Sequence, residues 1–114
     1  MRWPTVGDYA VGQRIDALVR AEPGGVIAEP AGYAVRNGRA VAIQPIDLRA
    51  EAHLGRWSAA PLVDALRAGE FALVVEAYRL LPFEMEAVLR ERYAEVEVLE
   101  SPSGLVYRLY RYRP

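Results

Sequence analysis

Four side chains in this sequence have the chemistry to act together: the carboxylates of Glu29, Asp47 and Glu76 and the imidazole of His53. Each acid closes or follows a short apolar run, as Glu29 does in "VIAEP" and Glu76 does after "FALVV". In open α/β folds, ligands collect in the crevice beyond the carboxyl ends of the strands. Three acids and a histidine on such a rim could hold a hard or borderline divalent metal, or serve as an acid–base pair. A second reading needs no ligand. Asp47 then caps a helix, Glu29 and Glu76 are solvated strand ends, and His53 lies on the surface of the helix that Asp47 begins. None of the spacings is a ligand motif such as H-E-x-x-H, so the reading without a ligand is preferred, with no metal and no catalytic residue expected.

Other chemistries lose their residues one by one. All 14 basic residues are arginine, so no Schiff base, lysine general base or P-loop lysine is possible. Cysteine is absent as well, which removes thiol catalysis, thiolate zinc sites and disulfides together. A dinucleotide site wants glycines in the first strand-to-helix turn, but that turn reads Glu29-Pro30-Ala31-Gly32, with a carboxylate that repels phosphate. A phospho-receiver domain wants an aspartate ending its third strand and a late lysine; neither exists here. No cofactor is expected. Ser58, Ser101 and Ser103 sit at a helix start and a hairpin tip, and no G-x-S-x-G elbow surrounds them. Arg56 and Trp57, in "LGRWSAAPL", are candidate binding residues near the acidic rim, although Trp57 more naturally packs a helix junction.

The elements that must position these residues are legible in the hydrophobic pattern. Residues 8–21 place Val11, Ile15, Leu18 and Val19 on one helical face, and Pro23-Gly24-Gly25 breaks the helix. Residues 26–28 form a first strand. Residues 30–36 form a short helix ended by Asn37-Gly38, and residues 40–43 a second strand. Asp47 opens a helix through Leu54 that Gly55 closes; Ser58 caps another, with Pro61 in its first turn and Gly69 at its end. Residues 71–75 are apolar throughout, as in a central strand covered on both faces. Pro82 opens a helix with Met85, Val88, Leu89 and Tyr93 on one face. "EVEVLE" and "LVYRLYRY", joined by "SPSG", alternate as an antiparallel hairpin, with Glu95 and Glu97 opposite Arg108 or Arg111. The expected fold is a three-layer α/β/α sandwich with a mainly parallel, Rossmann-like sheet and a C-terminal antiparallel hairpin.

At 114 residues, 53% of them hydrophobic, the chain fits one α/β domain with a real core. A net charge of −1 gives no basic field, so no nucleic-acid partner is expected. No segment approaches the roughly 20 apolar residues that span a bilayer. The all-arginine bias fits a heat-adapted protein or a GC-rich genome equally.

The middle of the chain, "GGVIAEPAGYAVRNGRAVAIQPIDLRAEAHLGRWSAAPLVDALRAGEFALVV", followed by a helix ending in "LRERY" and a hairpin, has a recognisable layout. It resembles the soluble C-terminal region of bacterial membrane glycosyltransferases of the GT-C superfamily, the kind similar to protein mannosyltransferases and aminoarabinose lipid A transferases. The resemblance covers roughly residues 25–93. It implies a parent chain with many transmembrane helices and a polyprenyl-phosphate sugar donor, from which this domain is excised. The catalytic acid of such enzymes lies in the membrane part, so no catalytic residue carries over. Glu29, Gly38, Asp47, Gly55, Arg56 and Trp57 match the layout. What is implied is a non-catalytic, extracytoplasmic domain, structural or substrate-positioning, that packs on the membrane part of its own parent. Its rim would face a polyprenyl-phosphate sugar or glycan acceptor. "MRWP" suits a junction near a membrane surface. The alternative is a free-standing small α/β binding module that dimerises through the edge of its hairpin, burying Val106, Tyr110 and Tyr112.

Overall fold

The structure, a computed structural model, describes residues 6–30, 33, 37–38, 48–55, 58–77 and 81–114. Its elements in chain order are α1 (Val6–Ala21), β1 (Gly25–Ala28), α2 (Leu48–His53), α3 (Ala60–Arg67), β2 (Phe71–Glu76), α4 (Phe83–Arg92), β3 (Tyr93–Glu100) and β4 (Val106–Tyr112). Most of the helix expected at 30–36, and all of the strand expected at 40–43, lie outside the described residues.

The protein is a mixed α/β domain with a 4-stranded sheet in the order β1-β2-β4-β3. β1 lies parallel to β2, with Ala28 beside Val75. β4 is antiparallel to both β2 and β3. Among the described strands the sheet is therefore mixed, where a mainly parallel one was expected. The cause is the hairpin: its second strand enters between β2 and β3, which makes both of its own pairings antiparallel.

Side-chain alternation divides the core between the two faces of the sheet. Val26, Ala28, Leu73, Val75 and Leu109 pack with Ile15 and Val19 of α1, joined by Val11, Leu18 and Tyr107. Ile27 and Val74 pack with Leu66 of α3 and with Met85, Val88 and Leu89 of α4. Each fully buried aliphatic side chain contributes about 1.5–3 kcal/mol over its exposed state, so β2, buried on both faces, is the strand on which the two clusters depend. Gly25 shows how closely β1 seats on β2: a Cβ there would stand 2.5 Å from the Glu70 carbonyl oxygen.

The helices start and stop by local rules. α1 carries Asp8 in its first turn and Arg20 in its last, each favourable to the helix dipole. α3 has proline in its first turn, and Ser58 Oγ accepts the Ala60 N–H at 3.3 Å, although Ala59 is the residue that flanks the helix. Gly69 follows α3 at φ +77°, with a missing Cβ that would lie 2.6 Å from the Tyr112 ring. α4 passes straight into β3 without a loop, so Tyr93, expected on the helix, begins the strand instead. Its phenol O–H donates to the Phe71 carbonyl at 2.6 Å, and burial pushes the group up to about 12.

The hairpin contains one irregularity that alternation in the sequence does not show. Glu95 pairs with Tyr110 and Glu97 with Leu109, leaving Val96 as an extra residue in a β-bulge. Glu95 thus faces Arg108 at 3.4 Å, while Glu97 turns to the opposite face. There Arg14 of α1 binds it at 2.9 Å and holds its carboxyl below the ordinary value, chiefly by hydrogen bonding. Arg111 pairs with the buried Glu22 at the end of α1, not with the hairpin glutamates. Asp8 also accepts from Ser101 Oγ and from the Ser103 N–H, which fastens the hairpin turn to the start of α1.

Candidate functional site: a polar cleft at the carboxyl end of β2

Glu29 and Glu76 stand at the ends of neighbouring parallel strands. They are not solvated: Glu29 is 5% and Glu76 4% exposed. Glu29 Oε1 accepts the Ala77 N–H at 2.7 Å, and its own N–H donates to the Val75 carbonyl at 2.8 Å. Its carboxylate therefore stitches the chain leaving β2 to the chain leaving β1. That is a structural task, and it explains why an acid can be buried there.

His53 is the last residue of α2 and is exposed. Asp47, Arg56 and Trp57 lie outside the described residues. Among the described residues, no group of three His, Cys, Asp or Glu side chains could hold a metal ion.

Glu76 opens onto a cleft of about 230 Å³ lined by Glu76, Glu86, Leu89, Arg90, Glu95, Arg108 and Tyr110. One wall is α4, where Glu86, Leu89 and Arg90 sit three and four residues apart and hence on one face. The other wall is the sheet, in which β2, β4 and β3 supply Glu76, then Arg108 and Tyr110, then Glu95. Tyr110 O–H donates to Glu76 Oε1 at 3.5 Å, and Arg108 reaches Glu95 at 3.4 Å. Both contacts are long. Glu86 is bound at 3.0 Å by Arg49, which also donates to the Leu81 carbonyl at 3.1 Å and stacks on Phe83 at 4.0 Å. Arg49 in this way fastens α2 to the start of α4. Arg90 has no ion pair or hydrogen bond among the described residues.

The sequence singled out Glu76 as a strand-end acid and set Glu95 and Glu97 opposite Arg108 or Arg111; of those pairings the structure contains Glu95–Arg108, and nothing in the sequence joined it to Glu76. The available signal was the Glu86–Arg90 spacing on α4 together with the polar members of the hairpin. What was missing was the strand order, which sets β4 rather than β3 beside β2. A second hollow, of about 570 Å³, lies among Ala52, Gly55, Ser58, Ala60, Val63 and Glu84.

Compared with models of protein families, with curated proteins and with solved structures, the chain matches none.

Proposed function

We propose that this chain is a non-catalytic α/β domain of a polyprenyl-phosphate-sugar-dependent membrane glycosyltransferase, with a structural or substrate-positioning role on the extracytoplasmic side. The observation that carries the reading is the layout from Gly25 to Tyr93: a strand ending in Glu29, "GRW" before a helix, a central apolar strand, and a helix leading into a hairpin. The described elements are compatible with it, since β1, α3, β2, α4 and the hairpin follow one another in that order. The complete architecture is inferred to be a three-layer, Rossmann-like α/β/α sandwich, supported by α1 against one face of the sheet and α3 and α4 against the other. The non-catalytic role is supported by Glu29, whose carboxylate is engaged by backbone.

No helix among the described residues is long and apolar enough to cross a membrane, so in this reading the membrane helices belong to another part of the parent chain. The test is the reading frame upstream of the Met1 codon. Many apolar spans in frame would support the proposal; a stop codon with a ribosome-binding site just upstream would overturn it.

A further inference from the structure

We infer that Asn37 is a modification site, a clasp between α1 and the turn at Asn37-Gly38 that deamidation by water opens for good. The sequence supplies a reactive pair. A glycine that follows an asparagine puts no side chain beside its own backbone nitrogen, so that nitrogen can approach the asparagine Cγ. Gly38 is exposed, at φ +68°, with open space where a Cβ would stand, so solvent reaches the turn.

The fold meanwhile engages the whole carboxamide. Asn37 Nδ2 donates to Asp16 Oδ1 at 3.0 Å and to the Tyr33 carbonyl at 2.8 Å, while Arg20 Nε donates to Asn37 Oδ1 at 3.2 Å. Asp16 and Arg20 are four residues apart and share a face of α1. Tyr33 is buried in the cluster that holds Ile15 and Val19, and its ring meets that of Tyr107 edge-on at 6.0 Å. One amide thus ties the turn to the helix beside the core. Both partners of Nδ2 are acceptors, so an oxygen in its place has nothing to donate and faces the Asp16 carboxylate.

The reaction exchanges that nitrogen for an oxygen. The Gly38 nitrogen gives its proton to solvent and bonds to Asn37 Cγ; the Cγ–Nδ2 bond breaks, Nδ2 leaves as ammonia, and a five-membered imide remains. Water then adds to one imide carbonyl and breaks its bond to the Gly38 nitrogen. Opening at Cγ gives aspartate, and opening at the main-chain carbonyl gives isoaspartate. One water is consumed and one ammonia released in either case. Because Nδ2 must shed both hydrogen bonds to leave, the reaction proceeds from the opened clasp, and the closed fold retards it.

The test follows the whole chain at mildly alkaline pH, with mass spectrometry of the peptide that contains Asn37. Deamidation is expected at least about tenfold more slowly in the folded protein than in urea. Asp16→Ala, a change that helix propensity favours, is expected to speed it about threefold or more in the folded protein, while Arg67→Ala on α3 leaves it unchanged. The product is tested separately: Asn37→Asp lowers the urea midpoint, and the loss shrinks when Asp16→Ala is added. Equal rates with and without urea, no deamidation in either, an Asp16→Ala protein no faster than the parent, or an Asn37→Asp protein as stable as the parent would each overturn the inference. None of these readouts involves a parent chain, so they stand apart from the domain assignment.

Discussion

Glu29 and Tyr93 show how single polar groups hold this fold at its seams. Replacing Glu29 by alanine leaves the Ala77 N–H without its acceptor, at a cost of about 1–3 kcal/mol in urea unfolding; Glu29→Gln, which keeps an oxygen, loses less. A Glu29→Ala protein as stable as the parent would show that the carboxylate is not structural. Tyr93→Phe removes the hydrogen bond to Phe71 and costs about 1–2 kcal/mol. It also changes the alkaline limb of stability. The folded protein holds the phenolic proton up to about pH 12, against 10.0 for a free phenol, so the native state is the tighter binder of that proton. The contribution is complete below about pH 10 and disappears as pH rises to 12, roughly 3 kcal/mol in all. The difference between Tyr93→Phe and the parent, followed by denaturation across that range, isolates it. The acids at the strand ends were legible in the sequence because "VIAEP" and "FALVVE" stop so abruptly. Their burial was not, since it depends on a backbone donor 48 residues away in the chain.

At the level of elements, the helices and strands that follow from periodicity were the readable part. Val11, Ile15 and Val19 define α1, and the unbroken run in β2 marks it as central, because both patterns are local. The bulge and the strand order were not readable, because each is decided by what lies across the sheet. A regular strand over "EVEVLE" would leave Glu95, Glu97 and Leu99 on one face; the bulge at Val96 separates Glu95 from the other two. Deleting Val96 restores a regular ladder while every remaining side chain keeps its face. Thermal unfolding should therefore change little. The flattened edge strand should self-associate, and light scattering should report larger species than for the parent chain. Gly69→Ala tests a different junction. The substitution forces a Cβ into the left-handed region and onto the Tyr112 ring, and a loss of more than about 1 kcal/mol is expected on denaturation.

On the scale of the whole molecule, the hairpin tyrosines, read from sequence as an edge available to a second copy, belong to the interior of the sheet. Tyr110 and Tyr112 lie on β4, between β2 and β3, and pack against the core beside α3 and α4. Among the described strands, the edge on the hairpin side is β3, with a bulge and three glutamates, features that discourage pairing with another chain. The protein is accordingly expected to scatter as a monomer at high concentration; a concentration-dependent dimer would require a surface other than this hairpin.

The strand order has a consequence for biosynthesis. β4 follows both β2 and β3 in the chain, yet it lies between them and joins them. While a ribosome is still making residues 106–112, β2 has, among the described strands, only its parallel neighbour and β3 has none, so these four strands cannot assemble progressively from the amino end. Nascent chains must hold the apolar edges of β2 and β3 open until β4 has cleared the exit tunnel, and it is before then that chaperones have the most to cover.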